Sequence, residues 1–182
     1  MELQINGNKI FAPLKNKELV LTPEERVRQE YICRLVNVYG YSLEQMAQEV
    51  QVSNSHRGQG KARADIVIWK SESDKKEAAS AAIVIECKAE YVTIQEEDYY
   101  QGSNYAAWAG ADFFVTTNLK ETRIFKVVKG KMPKRLEEIV DIPKAEDLTN
   151  VKKIKELLSQ TKAFTREEFS KVLTKCHNYY TQ

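Results

Sequence analysis

The sequence is poor in the residues that build disulfide or zinc frameworks. Its 182 residues include only three cysteines and two histidines. The cysteines (Cys33, Cys87 and Cys176) are odd in number and lack C-x-x-C spacing, and the histidines (His56 and His177) are far apart. A zinc site needs several such ligands at close spacing, and disulfides belong to oxidising compartments. The pattern excludes a zinc framework and predicts free thiols in a reducing compartment.

The sequence also lacks an apolar run long enough to cross a membrane. A spanning helix needs about 20 consecutive apolar residues, and a secretory leader joins a basic start to an apolar segment. The opening MELQINGNKI has neither feature. With 42% hydrophobic and 30% charged residues, the composition is that of a globular domain. We expect a cytoplasmic protein without membrane contact.

The net charge is only +2, but two neighbouring segments each lack, or nearly lack, charges of one sign. The four charged residues between positions 91 and 118 are all acidic. Residues 119–136 carry seven basic residues against one acid, a local charge of +6. Such a pattern suits a polyanion partner and a metal ion, but most charge runs are solvated surfaces. Charge alone leaves both interpretations open.

The first strong helix signal is LTPEERVRQEYICRLVNVYGY. Thr22 can cap the helix in a capping box with Glu25, Pro23 suits the first turn, and Gly40 suits the end. An apolar stripe follows at helical spacing: Val27, Tyr31, Leu35 and Val38. Residues 1–20 are predicted to form a loose arm with room for one short strand.

Three strands are predicted next, from MAQEVQV, ARADIVIW and AAIVIECKA. The last two are joined by KSESDKKEAAS, a polar loop of hairpin type. A helix over about 94–108 and a hairpin of DFFVTTN with TRIFKVVKG follow. We therefore predict a mixed α/β domain over 21–142 and a helical extension over 143–182.

Charged residues interrupt the two most apolar strands at one end. Asp65 begins one apolar run, whereas Glu86 and Lys88 end the next and share a face, because strand side chains alternate. If the strands pair in antiparallel fashion, the three side chains meet at one edge. Two carboxylates there would suit Mg²⁺, although a strand-end ion pair that reaches solvent is the simpler alternative. The combination on consecutive strands favours the metal site.

Asp65 followed by Glu86-Cys87-Lys88 resembles the PD-(D/E)xK nuclease signature, with Ala64 in place of the proline. The surrounding TPEERVRQEYICRLVNVYGY, RADIVIW and IVIECKA resemble the N-terminal nuclease domain of type I restriction enzyme R (HsdR) subunits, over roughly residues 21–130. The resemblance implies a restriction-endonuclease-like mixed β-sheet flanked by helices. It further implies hydrolysis of double-stranded DNA with Mg²⁺, or Mn²⁺ in its place.

The resemblance also assigns roles to individual residues. Asp65 and Glu86 would hold the metal, and Lys88 would orient or activate the attacking water. Glu30 matches a helix-borne acid beside the metal, although its place about 60° from the apolar stripe fits a surface glutamate equally well. Gln101 and Tyr105 match a Q-x-x-x-Y motif that supports the site or contacts DNA.

Two segments are candidates for holding the DNA backbone. The first is the loop before Asp65, with Arg57, Lys61 and Arg63, and its alternative is a flexible solvated loop. The second is the +6 segment, with Lys126, Lys129 and Lys131. Cys87 and Trp69 are expected to be packed in the core.

Nothing in the chain resembles the ATP-driven motor of an R subunit. The closing TREEFSKVLTKCHNYYTQ resembles the opening helix of the region that precedes an adenine-DNA methylase domain. We therefore expect a fragment of an R subunit or of a nuclease–methylase protein, with methylase or specificity subunits as partners. The alternative is a catalytically inactive nuclease-fold module that binds DNA or a partner subunit.

Overall fold

A computed structural model describes residues 1–51, 63–127 and 137–160. The strands in these ranges are β1 Ile5–Asn6, β2 Lys9–Ala12, β3 Lys17–Val20, β4 Met46–Gln51, β5 Arg63–Ile68, β6 Ile83–Cys87, β7 Phe113–Thr117, β8 Thr122–Lys126 and β9 Glu137–Glu138. The helices are α1 Pro23–Asn37, α2 Glu72–Lys76, α3 Glu96–Trp108 and α4 Val151–Ser159, with 3₁₀ turns at Leu43–Gln45 and Ala145–Asp147.

The main sheet has six strands in the order β4-β5-β6-β7-β8-β9. All neighbours are antiparallel except β6 and β7, which are parallel and connected through α3. A parallel pair needs a crossover of this length, and a helix is its usual form. The predicted mixed sheet flanked by helices is confirmed, and so is the β7–β8 hairpin.

The alternation of apolar side chains divides the core into two layers. Ile66, Ile83 and Ile85 pack with α1 on one face, whereas Val84 and Phe114 pack with α3 on the other. Burial on both faces explains why β6 and β7 are continuously apolar. The two helices therefore cover opposite faces of the sheet, and their first turns can both approach the strand ends.

Helix α1 begins as the sequence predicts, but its buried apolar stripe ends before Val38. The Thr22 hydroxyl accepts a hydrogen bond from the backbone N–H of Glu25 at 3.1 Å, and Gly40 takes a positive φ of 76°. Val38 is exposed, however, because it lies just past the last helical residue, as the C-cap, so its place in the predicted stripe is wrong. The Glu25 carboxylate is buried and bonds Arg28 and Gln29.

The N-terminal segment and the connection between β5 and β6 contain more regular structure than the sequence predicts. Residues 1–20 form an antiparallel three-stranded sheet, not a loose arm, with Ile10 and Ala12 buried. The Gly7-Asn8 pair, which forms the two-residue turn between β1 and β2, is a hairpin signal that the prediction missed. The connection between β5 and β6 contains α2, which Ser71 caps by accepting from the N–H of Asp74 at 3.1 Å.

Of the predicted helical extension over 143–182, the structure describes residues 143–160, which contain the second 3₁₀ turn and α4. Asn150 caps α4 by accepting from the backbone N–H groups of Lys152 and Lys153, both at 3.2 Å. The second predicted helix of this region lies outside the described residues. None of the described helices is long and apolar enough to span a membrane.

Candidate active site

The register of β5 against β6 brings the two candidate carboxylates together. Ile66 pairs with Ile85 in antiparallel fashion, so the next position outward places Asp65 opposite Glu86. At this point the backbone N–H of Cys87 donates to a side chain of β5, because Oδ2 of Asp65 accepts it at 2.7 Å. The antiparallel pairing of β5 and β6 thus places Asp65 and Glu86 side by side where the two strands meet.

Glu86 is largely withdrawn from water. Burial raises its pKa to about 9, and the negative charge of Asp65 adds to the rise while Lys88 opposes it. Among the described residues, Glu86 Oε1 has no hydrogen-bond partner, and neither does Oγ1 of Thr116. Thr116 is the residue of β7 that pairs with Glu86 in the parallel register. Two buried oxygens on neighbouring strands are therefore left unsatisfied.

Lys88 follows Glu86 on the same strand line but binds elsewhere. Its Nζ lies 3.0 Å from Oδ1 of Asp98, in the first turn of α3. Burial works to lower the pKa of Lys88, but the hydrogen bond and the charge of Asp98 outweigh it, and the pKa is raised. The side chain is therefore a protonated amine held between the strand end and α3.

Arg28 supplies a second cation from the opposite helix. Its Nη2 donates to Oδ1 of Asp65 at 2.6 Å and to Oε1 of Glu24 at 3.1 Å, and its Nη1 bonds Glu25. The side chain is buried. Burial works to lower the pKa of Arg28, but the charges of Asp65 and Glu25 raise it overall. Arg28 thereby holds the Asp65 carboxylate in a fixed orientation.

The strand beside Asp65 is locally distorted. In β4, Gln48 pairs with Ile66 and Val50 with Ala64, and the residue between them, Glu49, has a φ of 54°. A left-handed backbone is unusual for a residue other than glycine and often accompanies a functional site. The irregular position of β4 thus lies opposite Asp65.

Arg28 and Asp98 were missed at the sequence level, although a signal for Arg28 exists. Arg28 precedes Ile32 by four residues and Leu35 by seven, so it shares their buried face. A charged residue on a buried helix face is expected to have a specific partner. Asp98 carries a weaker signal, since it precedes Gln101 by three residues and Tyr105 by seven.

The accessory residues are distributed along both helices. Gln101 and Tyr105 lie in α3, as predicted. Glu30 is half-buried on α1, five residues after Glu25, which turns its side chain about 140° around the helix axis from that of Glu25. The α1 side chain that bonds Asp65 is Arg28, which also bonds Glu24 and Glu25, and Glu30 is in none of these hydrogen bonds.

The candidate DNA-binding residues are described only in part. Arg57, Lys61, Lys129 and Lys131 lie outside the described residues. Arg63 begins β5 and is exposed. Lys126 lies 3.2 Å from Glu137, and the other two basic residues of its hairpin that the structure describes also have acidic partners: Lys120 with Glu90 and Arg123 with Glu138.

The donor atoms at this edge fit a single Mg²⁺ ion. Mg²⁺ takes one or two carboxylates and completes its shell with water and phosphate oxygens. Asp65 and Glu86 supply two adjacent carboxylates, and the buried Oε1 of Glu86 has no hydrogen-bond partner among the described residues. The described residues contain no group of three or more His, Cys, Asp or Glu side chains that could hold a metal. Asp65 and Glu86 would thus supply two ligands of such an ion, and water and a phosphate oxygen would supply the others.

A mixed sheet between two helices, with paired carboxylates and a lysine at one strand edge, defines a nuclease-like α/β domain. Residues 23–143 match the family model of the type I restriction enzyme R protein N terminus, HSDR_N. The chain belongs to this family, as its motifs predict. Comparison with curated proteins finds no match. Comparison with solved structures finds none either.

Proposed function

We propose that this domain is a Mg²⁺-dependent DNA endonuclease of a restriction system. The observation that carries the proposal is that Asp65 lies opposite Glu86, whose buried Oε1 has no hydrogen-bond partner among the described residues. Family membership supports the restriction context. Double-stranded DNA is the proposed substrate, and methylase or specificity subunits are the proposed partners. The free thiols of Cys33 and Cys87 agree with a cytoplasmic location.

Asp65 and Glu86 would hold the cation, with Mn²⁺ as a substitute for Mg²⁺. When bound, the cation supplies positive charge that stabilises the charge developing on the phosphate. Arg28 and the backbone N–H of Cys87 orient Asp65. Lys88 is a protonated donor beside the carboxylates, placed to hydrogen-bond the attacking water or a phosphate oxygen.

A second candidate function is a nuclease-fold module that binds DNA or a partner subunit without cutting. One observation favours it: Arg28 already neutralises Asp65 at 2.6 Å. A resident guanidinium can stabilise such a carboxylate without any metal. The two functions therefore differ in whether a divalent cation binds at Asp65.

Calorimetric titration with Mg²⁺ or Mn²⁺ separates these functions. Wild type should bind one ion, whereas Asp65→Ala and Asp65→Asn should bind none in the same concentration range. Asn keeps an acceptor for the Cys87 N–H and so guards against loss of fold. Glu146→Ala, which removes an exposed acid outside the site, is the matched control. Equal binding by wild type and both Asp65 variants would leave the non-cutting module as the function.

A further inference from the structure

Lys88 pairs with Asp98, ten residues away in the sequence, and not with Glu86, which is two residues away. Glu86 and Lys88 lie on the same face of one strand line, with Cα atoms about 6.5–7 Å apart. Nevertheless Lys88 Nζ pairs with Asp98 at 3.0 Å, and Glu86 Oε1 remains without a hydrogen-bond partner among the described residues. The ion pair is therefore made across elements, between the strand end and α3.

Asp98 is itself fixed in place. Its Oδ2 accepts the backbone N–H of Gln95 at 3.0 Å, which satisfies a free donor at the start of α3. The first turn of a helix also favours a negative charge. Asp98 can therefore hold the Lys88 amine with its other oxygen without losing its own anchor.

We propose that Asp98 is a positioning residue that holds Lys88 away from Glu86 and so keeps the Glu86 carboxylate free to bind a divalent cation. This inference rests on the proposed endonuclease function and adds a residue to it. Without the Asp98 charge, Glu86 is the nearest acid on the face of Lys88. An ion pair between those two would occupy the oxygen that the cation needs.

The variant Asp98→Asn tests this role with little disturbance of α3. The asparagine side-chain oxygen can still accept the Gln95 N–H, whereas the charge that holds Lys88 is removed. In calorimetric Mn²⁺ titrations, Asp98→Asn should bind about tenfold more weakly than wild type, because Lys88 now competes for Glu86. Glu97→Gln, which removes the neighbouring exposed acid from the same helical turn, should bind as wild type does.

A double-mutant cycle with Lys88→Met separates competition from a simple charge effect. If Asp98 acts by holding Lys88, then Lys88→Met alone should leave Mn²⁺ affinity near that of wild type. The double variant Asp98→Asn/Lys88→Met should regain wild-type affinity, although it should not cut DNA. If the charges merely add, Lys88→Met alone should bind more tightly by the same factor that Asp98→Asn loses.

Three further results would contradict the inference, and they are distinct from one another. Unchanged Mn²⁺ affinity in Asp98→Asn would show that Lys88 does not reach Glu86. A double variant that stays weak would show that Asp98 acts on the cation directly. A wild-type protein that binds no Mn²⁺ would remove the proposed endonuclease function itself, and the role of Asp98 with it.

Discussion

At the scale of single residues, Asp65 and Lys88 of the candidate site are each oriented by a partner on a helix. Asp65 is held by Arg28 of α1, and Lys88 is held by Asp98 of α3. A buried carboxylate such as Glu86 is costly unless it is paired, protonated or bound to a cation. The site therefore combines two fixed ion pairs with one buried carboxyl group, Glu86, whose Oε1 has no hydrogen-bond partner among the described residues.

Replacing Lys88 by Ala should separate catalysis from binding. If the amine acts mainly on the transition state, cleavage should slow by at least about 10²-fold, whereas metal and DNA affinity should persist. Single-turnover cleavage and DNA titration on the same preparations measure the two quantities. Lys70→Ala, which removes an exposed lysine after β5, is the matched control. Normal cleavage by Lys88→Ala would reduce Lys88 to a structural ion pair.

Replacing Glu86 by Gln should change how stability depends on pH. Burial raises the pKa of Glu86 to about 9, whereas an unfolded glutamate titrates near about 4.3. Between these values the folded protein keeps a proton that the unfolded chain has lost. Its free energy of unfolding therefore falls as the pH rises, by up to about 1.4 kcal/mol per pH unit.

Glutamine resembles the neutral carboxyl group in shape but does not titrate. Glu86→Gln should therefore remove the fall in the free energy of unfolding with rising pH. In chelator, variant and wild type should have similar free energies of unfolding near about pH 4. The variant should become more stable than wild type by on the order of 1 kcal/mol per pH unit above about pH 5. Urea unfolding at several pH values measures the difference. Parallel pH curves would mean that Glu86 is ionised in the folded protein at neutral pH.

The sequence predicts the chemistry of Asp65, Glu86 and Lys88 better than it predicts their partners. Alternation along a strand and antiparallel pairing are enough to bring the two carboxylates together. The contacts of Arg28 and Asp98 depend on how α1 and α3 dock on opposite faces of the sheet. Local rules do not contain that docking, so they assigned Glu25 to a capping box when its carboxylate in fact turns inward.

At the scale of elements, α3 can approach the sheet because one of its residues has no side chain. A Cβ added at Gly102 would lie 2.1 Å from the Phe114 ring of β7. Gly102 directly follows Gln101 in the Q-x-x-x-Y motif. The close approach of helix and sheet thus explains a glycine that would otherwise weaken the middle of a helix.

Gly102→Ala should therefore destabilise the domain, although alanine favours helix formation. Overpacking of this kind costs about 1–3 kcal/mol, which exceeds the gain in helix propensity of about 1 kcal/mol. Glu97→Ala, at an exposed position of the same helix, should change stability little. Chemical unfolding of both variants measures the contrast. An unchanged or higher stability in Gly102→Ala would mean that α3 lies farther from β7.

Elements with strong periodicity are predictable from the sequence, and short ones are not. The β6–α3–β7–β8 series has long apolar runs and clear boundaries, so its order follows from local pattern. Strands β1 to β3 contain two to four residues each. Such short strands are stable only when several pair and pack together. Their sheet depends on contacts that no single segment displays.

At the scale of the whole molecule, the basic segment of residues 119–136 has more of its positive charge paired than the sequence suggests. Each of its described basic residues has an acidic partner, and two of these partners, Glu137 and Glu138, belong to β9. Surface ion pairs of this kind contribute little energy and are weakened by salt. Lys126 can therefore exchange Glu137 for a phosphate, but with a smaller net gain than an unpaired lysine would have.

The dependence of DNA binding on salt tests whether this segment holds the backbone. Each phosphate neutralised on duplex DNA contributes about −0.9 to the slope of log K against log salt concentration. Replacing Lys126, Lys129 and Lys131 together by Gln should flatten the slope by up to about 2–3, while sequence preference stays the same. Lys126→Gln alone should flatten the slope by less than about 0.9, because Glu137 already lies 3.2 Å from its amine.

Replacing three exposed lysines elsewhere, Lys70, Lys152 and Lys155, gives the matched control, since it removes the same charge. A slope that changes only in the first variant would assign the phosphate contacts to the basic segment. A slope that changes equally in both would mean that net charge alone matters. A slope that changes in neither would favour Arg57, Lys61 and Arg63 as the residues that hold the backbone, because they directly precede the candidate ligand Asp65 in the sequence.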